Sequence, residues 1–379
     1  MVHIIGYGCT PVKEHWDKGI RELAFEAALK ALEKAGIDKV DALVVGNMSS
    51  GVLAGQEHLG ALIADELGMS GISALKVEAA CASGGAAVHS AYAMVKSGAY
   101  KRVLVVGVEK MTDKLTPQVT SALAMAEDQR FTVSPTGVSF VALNALLHRL
   151  YMERYGVKPE EVAAFAVNDH KHAVNSPHAQ YRNEITVEQV MKSPMVADPI
   201  HLLESSPIGD GAAAVVLSSE PEGDSSVEIA ASVAATDVFC LFSREDMLSL
   251  RATVLAAKKA YEQAKISPED VDVLEVHDAF SILGAIALED LGFAERGQGA
   301  KMAYEGETLI GGKLPTNTFG GLKARGHPVG ATGVYQIVEL CMQLSNEAGK
   351  NQVPDANVGL AQNVGGVGGT VVIHVLRGV

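Results

Sequence analysis

Apolar residues recur along the chain at two alternating spacings, and this alternation predicts strands that are followed by helices. A short apolar run at residues 2–7 predicts a first strand. Between Ile20 and Ala35, apolar and small residues recur every three or four positions, as on one helix face, and Gly36 can end that helix. A second apolar run at residues 41–46 predicts a buried strand. This order of elements is typical of α/β proteins.

The same pattern returns later in the chain, which indicates an internal repeat. Residues 31–46 resemble residues 260–277 in sequence and in hydrophobic pattern. Further pairs follow in order. A strand, a small-residue turn and a helix at 73–98 match those at 316–344, and two further strands, 103–108 and 211–218, match 357–362 and 369–376. We therefore predict two similar α/β halves, residues 1–220 and 225–379, with parallel strands and helices on both sheet faces. Residues 111–209 have no counterpart, so we expect an inserted loop domain over one end of the sheets.

Composition and charge exclude several classes of protein. The 379 residues carry a formal net charge of −14 without a basic cluster, and nucleic-acid binding requires a basic surface. No apolar run approaches the roughly 18 residues of a membrane span. The N-terminal residues also lack the basic flank of a signal peptide. We expect a soluble, cytoplasmic protein.

The four cysteines stand far apart without a CxxC pair, so the sequence predicts neither a zinc site nor a disulfide framework. Cys81 differs from the others because it follows a predicted strand and precedes a predicted helix, among the small residues of 78–87. Backbone amides and the helix dipole favour a thiolate at such a position. We interpret Cys81 as a candidate nucleophile, and Cys9, Cys240 and Cys341 as structural.

Two histidines follow other predicted strands of the repeat. His277 comes after the second strand of the second half, and His327 lies in the glycine-rich turn 320–333, the counterpart of the Cys81 turn. Residues 363–366 are expected to follow the fourth strand. Because ligands of α/β sheets bind at the carboxyl ends of strands, we expect these points to face one crevice. A thiol beside two imidazoles predicts nucleophilic catalysis.

These motifs resemble those of the thiolase superfamily, and the resemblance covers essentially the whole chain. It rests on the Cys81 turn, on His277-Asp278-Ala279-Phe280, and on residues 206–214 and 326–333. The chain is particularly similar to archaeal-type acetyl-CoA acetyltransferases, and its His-Asp-x-Phe motif is similar to that of sterol-carrier-protein-type thiolases. The resemblance implies two βαβαβαββ halves in a layered αβαβα sandwich.

The resemblance also implies an activity. The chain would condense two acetyl-CoA molecules to acetoacetyl-CoA and CoA through an acetyl-enzyme on Cys81, and would supply mevalonate and isoprenoid synthesis. His327 would act as the base that activates Cys81. The backbone amides of Cys81 and Gly365 would stabilise the acyl-enzyme oxyanion, while His277 and His327 would stabilise the enolate. The family uses CoA thioesters as substrates and has no permanently bound cofactor or metal.

The chain departs from the family at the two positions that usually carry a cysteine for the carbon acid. Common thiolases have Cys-x-Gly where this chain has Asn363-Val364-Gly365. The sterol-carrier-protein type has a cysteine where this chain has Ala279. Because neither asparagine nor alanine can exchange a proton near neutral pH, we expect His277 to shuttle it.

Several alternatives stay open. The chain could be a degradative 3-ketoacyl-CoA thiolase of the sterol-carrier-protein type, or a non-catalytic acyl-CoA-binding scaffold subunit. A ketoacyl synthase is less consistent with the Gly-His-Pro turn. A hydroxymethylglutaryl-CoA synthase needs a glutamate near the cysteine, and Glu78 is expected within a strand.

The resemblance suggests partners as well. It implies a homodimer or a dimer of dimers whose sheets pair near Ser73–Glu78. It further implies a complex with hydroxymethylglutaryl-CoA synthase and a small zinc-containing OB-fold protein, because consumption of acetoacetyl-CoA draws an unfavourable condensation forward. The sequence assigns no CoA-contacting residue.

Overall fold

The computed structural model describes residues 1–222 and 226–378, and its elements alternate much as the hydrophobic pattern predicts. The predicted start of the second half, residue 225, and the last residue, 379, lie outside the described residues. The strands are β1 (His3–Cys9), β2 (Ala42–Gly46), β3 (Ser73–Val77), β4 (Arg102–Glu109), β5 (Met195–Ala197), β6 (Ile200–His201), β7 (Gly211–Ser218), β8 (Val227–Thr236), β9 (Val273–Glu275), β10 (Val358–Gly365) and β11 (Thr370–Gly378). The helices are α1 (Ile20–Ala35), α2 (Leu59–Glu66), α3 (Ser83–Lys96), α4 (Thr116–Ala124), α5 (Ser134–Thr136), α6 (Phe140–Tyr155), α7 (Pro159–Ala173), α8 (Val187–Lys192), α9 (Arg251–Ala264), α10 (Ser281–Asp290), α11 (Gly299–Tyr304) and α12 (Thr332–Leu344).

Nine of the described strands form one sheet in the order β3-β2-β4-β7-β1-β8-β11-β10-β9. The two halves meet between β1 and β8, which pair at His3 with Glu228 and at Ile4 with Val227. On either side of this junction the strands follow the same order outward, so the repeat read from the sequence is visible in the sheet. Strands β4 and β7 are buried along almost their whole length, as their continuous apolar runs predict.

The sheet is mixed, which corrects the expectation of parallel strands. β2 runs parallel to β3 and β4, but β7 is antiparallel to β4, and β11 is antiparallel to β10. For β10 and β11, the reason is the length of the connection. Only residues 366–369 separate β10 from β11, and a turn this short joins antiparallel strands, whereas a parallel pair needs a long crossover.

Helices α3 and α12 form the central layer of the molecule. Each contacts strands of both halves, and the two helices also pack on each other. Helices α1 and α2 cover the other face of the first half, and α9 covers that of the second half. Because the two halves of the sheet lie on either side of α3 and α12, the layers follow the predicted order αβαβα. No helix in residues 1–222 or 226–378 is both long and apolar enough to cross a bilayer.

Three local expectations were wrong. The strand predicted near residue 316 is reduced to a single bridge between Leu274 and Thr316, because Asn317 has a positive φ of 55° that turns the chain away. Residues 363–365 are the last residues of β10 and do not follow it. Glu78 lies beyond the end of β3, where it is exposed and accepts a hydrogen bond from the Ala80 N–H.

Candidate active site

Cys81 lies in a tight turn between β3 and α3. The turn includes Ala80, whose φ of 52° is left-handed, and α3 begins two residues after the cysteine. The Ser83 hydroxyl holds the turn, since it accepts from the Ala79 N–H at 2.9 Å and donates to the Ala80 carbonyl at 2.6 Å. The side chain of Cys81 is therefore buried at the N-terminal end of α3, where the sequence predicted it.

The structure brings Cys81 together with both predicted histidines. His277 follows β9, and His327 lies in the turn before α12. The thiol sulfur and one ring nitrogen of each histidine lie within 4.8 Å of one another. The two imidazole rings are 5.0 Å apart between centroids and nearly perpendicular, at 85°. A candidate nucleophile and two candidate acid/base groups therefore lie close together in one site.

His327 is held as a neutral base. Its Nδ1 lies 2.6 Å from the Thr332 hydroxyl, which also contacts the Pro328 carbonyl at 3.3 Å. Both contacts are hydrogen bonds only if Nδ1 carries the ring proton and the hydroxyl donates to the carbonyl. Nε2 is buried without a protein partner in the described residues. Burial, followed by the charges of His277 and Arg325, lowers the pKa of His327 well below its ordinary value, so Nε2 keeps a free lone pair.

The burial of Cys81 opposes the thiolate that the helix N-terminus favours. Burial, and then the nearby carboxylate of Glu109, raise its pKa to about 12. The backbone N–H groups of Gly366 and of Cys81 itself lower the pKa but do not outweigh burial. Deprotonation therefore needs a base. Besides the amide of Cys81 itself, the amide that reaches the sulfur is that of Gly366, the neighbour of Gly365, and an oxyanion role for Gly365 stays a prediction.

Glu109 ties the two halves together beneath the thiol. Its carboxylate accepts hydrogen bonds from the N–H groups of Met48, Ser49 and Gly330 at 2.9 to 3.1 Å. Gly330 belongs to the glycine-rich turn that carries His327, so this carboxylate fixes the turn against the end of β4. No local sequence pattern marks Glu109, because its partners are distant in the chain.

Asn363 contacts both the nucleophile turn and His277. Its Oδ1 accepts from the Gly85 N–H at 3.0 Å, and its Nδ2 donates to the Cys81 carbonyl at 3.2 Å. The same Nδ2 lies 3.2 Å from Nδ1 of His277. Burial, followed by the charge of Arg325, lowers the pKa of His277 to about 3, so this ring is neutral as well.

A cavity of about 500 Å³ opens onto Cys81, His277 and His327. Ala279 also lines it. Most of the remaining wall is apolar, formed by residues that include Leu123, Phe140, Val141, Val196, Leu202, Leu203, Phe280 and Leu283. An apolar wall with a few polar groups at one place is typical of a site for a small organic ligand.

Lys323 is a lining residue that sequence reasoning missed. Its side chain is only 3% exposed, and its Nζ lies 5.4 Å from the centre of the Tyr181 ring. Burial lowers its pKa to about 8, although Asp169 and Asp278 oppose this shift. The available signal was a charged residue within the glycine-rich turn, four positions before His327.

The close approach of Cys81, His277 and His327 would also let the three side chains bind a thiophilic metal ion. Thiolate and imidazole are the ligands that Zn²⁺ prefers. The described residues contain no other such group. Because the thiol also faces a large, mostly apolar cavity, the arrangement equally suits acyl transfer to an organic substrate.

Comparisons with known protein families match almost the whole chain. The family model described as "Thiolase, N-terminal domain" matches residues 2–221, and "Thiolase C-terminal domain-like" matches residues 234–378. The acetyl-CoA acetyltransferase of Methanothermobacter thermautotrophicus is 47% identical over 380 residues, which cover 99% of this chain and 98% of that protein. Human sterol carrier protein 2 is 35% identical over 99% of this chain and 72% of its own length.

Solved structures show the same fold. The "Ltp2-ChsH2(DUF35) aldolase" has a TM-score of 0.86 and 24% sequence identity, covering 100% of this chain and 97% of that one. Human mitochondrial 3-ketoacyl-CoA thiolase in complex with CoA has a TM-score of 0.75 and 19% identity, covering 100% and 98%. At these identities, the likeness supports the architecture alone.

Proposed function

This chain belongs to the thiolase family, and on that premise we propose that it is an acetyl-CoA C-acetyltransferase that condenses two acetyl-CoA molecules to acetoacetyl-CoA and CoA. The observation that carries the proposal is that the Cys81 sulfur and a ring nitrogen of each of His277 and His327 lie within 4.8 Å of one another, in the wall of a largely apolar cavity. The archaeal relatives at 47% and 44% identity bear the name of the same activity.

In the first half-reaction, His327 accepts the thiol proton of Cys81 at Nε2 as the sulfur attacks the acetyl carbonyl carbon. The backbone N–H groups near the sulfur, those of Cys81 and of Gly365 or Gly366, donate to the developing oxyanion. CoA then leaves with the proton that His327 holds. Each oxyanion donor contributes about 3 kcal/mol to such a transition state.

In the second half-reaction, another acetyl-CoA loses a proton from its methyl carbon, and the carbanion attacks the acetyl group on Cys81. His277 donates to the enolate oxygen, and His327 can donate as well only while its Nε2 carries a proton. Both family positions for the carbon acid/base are filled by groups that do not titrate, Ala279 and Asn363. A shuttle through His277 was the expectation from sequence.

Intact-mass measurement after incubation with acetyl-CoA tests the first half-reaction. We expect the mass of one acetyl group on the wild-type chain and none on Cys81→Ser, with acetoacetyl-CoA formed only by the wild type. A folded wild-type chain that gains no acetyl group would refute the proposal and favour the scaffold alternative. A second acyl-CoA product that depends on acetoacetyl-CoA would instead indicate a hydroxymethylglutaryl-CoA synthase.

A degradative 3-ketoacyl-CoA thiolase is the second candidate. It is favoured by the likeness to sterol carrier protein 2 and by the apolar side chains near the reacting thiol, such as Phe140 and Leu283. Rates of CoA-dependent cleavage across ketoacyl chains of increasing length separate the two functions. An acetyl-CoA acetyltransferase should cleave acetoacetyl-CoA fastest, whereas the degradative enzyme should prefer long chains.

We further propose the assembly and setting that the family resemblance implies. β3 is an edge strand with Leu75 half exposed, which suits pairing with a second copy near Ser73–Val77. We expect a cytoplasmic homodimer or dimer of dimers that supplies mevalonate synthesis. Association with hydroxymethylglutaryl-CoA synthase and a zinc-containing OB-fold protein remains part of this proposal, and the aldolase neighbour named with a DUF35 partner motivates it. A monomer in light scattering at micromolar concentration would contradict the dimer.

A further inference from the structure

We propose that Asn363 is a positioning residue that fixes the ring proton of His277 on Nε2, so that His277 donates a hydrogen bond to the substrate carbonyl and does not carry the carbon proton. Asn363 stands where common thiolases have an acid/base cysteine, and nothing in its residue type suggests a part in the reaction. The role assigned to His277 rests on the function proposed above, but the position of its proton does not.

The first step is the orientation of the amide of Asn363, which two backbone groups determine. A backbone N–H, that of Gly85, lies 3.0 Å from one end of the amide, and a carbonyl, that of Cys81, lies 3.2 Å from the other. An N–H only donates and a carbonyl only accepts, so the oxygen must face Gly85 and the nitrogen must face Cys81. The opposite orientation would replace two hydrogen bonds with two repulsive contacts in a buried site.

The start of α12 packs closely against the amide of Asn363. A Cβ on Gly333 would lie 2.3 Å from its Oδ1 and 2.2 Å from the Gly85 nitrogen. Both distances are far shorter than van der Waals contact, so glycine at 333 is what permits this approach. The amide is thus clamped among β10, the start of α3 and the start of α12.

The second step is the proton of His277. The Nδ2 of Asn363 lies 3.2 Å from Nδ1 of the ring, and an amide nitrogen can only donate. Nδ1 must therefore accept, and a neutral ring that accepts at Nδ1 carries its proton at Nε2. Burial and Arg325 keep the ring neutral at any pH above about 3. Its lone pair is engaged by Asn363, so it has no free site for a proton from the substrate.

The two histidines consequently hold opposite tautomers. His327 keeps its proton on Nδ1, toward Thr332, and has a free lone pair at Nε2. His277 keeps its proton on Nε2 and has an occupied Nδ1. His327 is therefore ready to act as a base and His277 as a hydrogen-bond donor. This assignment replaces the sequence-based expectation that His277 shuttles the carbon proton. His327, once it has returned its first proton to CoA, is the nearby ring with a free lone pair for the carbon proton.

Long-range ¹H–¹⁵N spectra of the protein with ¹⁵N-labelled histidine test the assignment directly. The signal of His277 is identified by its absence from His277→Asn. We expect the Nε2-protonated pattern in the wild-type protein at neutral pH, without any substrate. An Nδ1-protonated or doubly protonated ring would overturn the proposal, and this measurement needs no variant of Asn363 to fold.

The variant Asn363→Asp tests the cause. Its carboxylate can only accept, so at alkaline pH, where the ring is neutral, the proton of His277 should move to Nδ1. The condensation rate should then fall by about 10²- to 10³-fold, the effect of losing one oxyanion donor, while acetylation of Cys81 falls by much less. A neighbouring carboxylate also raises the pKa of an imidazole, so a new limb should enter the acidic side of the pH profile.

Asn351→Asp is the matched control. Asn351 is buried and donates to the carbonyls of His172 and Thr318, so its side-chain hydrogen bonds reach none of Cys81, His277 and His327. It should leave the tautomer of His277 unchanged. If Asn363→Asp also left that tautomer unchanged, or if Asn351→Asp shifted it equally, Asn363 would have no positioning role. An Nε2-protonated ring in a protein that never acetylates Cys81 would refute the proposed function but not this assignment.

Discussion

Removal of the Thr332 hydroxyl should slow the acetylation of Cys81 without removing any group that touches the substrate. In Thr332→Val, the side chain keeps its shape, but Nδ1–H of His327 loses its acceptor at 2.6 Å. A buried donor left without a partner costs about 1–3 kcal/mol. This cost applies only to the tautomer in which Nε2 is free, so the population of the competent base falls.

The expected magnitude follows from that free energy. Because each 1.36 kcal/mol corresponds to a factor of ten in rate, a loss of about 1–3 kcal/mol lowers the acetylation rate by about 5- to 150-fold. The rate is measured by mixing enzyme with acetyl-CoA, quenching with acid at increasing times, and determining the acetylated fraction by intact mass. The unfolding free energy in urea is determined in parallel, so that loss of stability is separated from loss of the base.

Thr332→Ser is the matched control, because it keeps the hydroxyl and removes only a methyl group. It should acetylate Cys81 within a few-fold of the wild-type rate. If Thr332→Val reacted as fast as the wild type, the hydroxyl would not hold the base. If Thr332→Ser were as slow as Thr332→Val, packing at the start of α12 would explain the effect and the tautomer argument would be wrong.

Three further outcomes follow from the buried groups of the site. In His327→Ala, which lacks the base, alkylation of Cys81 by iodoacetamide should be slow at neutral pH. Its rate should rise about tenfold per pH unit up to the Cys81 pKa of about 12. A plateau near pH 8 would contradict a protonated thiol. Gly333→Ala should displace Asn363, because the new Cβ would lie 2.3 Å from the Oδ1 of Asn363. The urea midpoint and the condensation rate should both fall. Unchanged values would show that the amide is not clamped. Lys323→Met should stabilise the fold by up to about 3 kcal/mol at neutral pH. The pKa of Lys323 is lowered to about 8, so below that pH the folded wild-type chain bears the full cost of the buried charge. Since the cost disappears as pH rises from about 8 to the ordinary lysine value, urea unfolding at about pH 10 should show a smaller gain, and an equal gain at both pH values would refute the electrostatic cause.

The two histidines have different proposed roles, one as a base and one as a hydrogen-bond donor, for a physical reason that is common in enzymes. A site that performs acid and base chemistry at one pH needs groups whose environments differ, and here the difference lies in the hydrogen-bond partner of each ring. Thr332 offers an acceptor to one Nδ1, and Asn363 offers a donor to the other. Burial lowers both pKa values, so neither ring is charged before the reaction begins.

Much of the fold could be predicted from local sequence. The helix Ile20–Ala35 was predicted with its observed bounds, because its apolar spacing and the left-handed Gly36 act within a few residues. The repeat and the positions of Cys81, His277 and His327 at the ends of elements also follow from local patterns. The strand expected near Thr316 failed because positive-φ residues after it, including Asn317, break the ladder.

The sequence by itself determined the family, the order of elements and the residue types that carry the chemistry. The tertiary structure decided their surroundings: burial raises the pKa of Cys81, the amide nitrogen of Asn363 faces Nδ1 of His277, and Lys323 is buried beside the cavity. The reason is distance along the chain. Asn363 meets Gly85 and Cys81 across 278 and 282 positions, and no local pattern records which backbone groups will surround a side chain once the two halves have packed together.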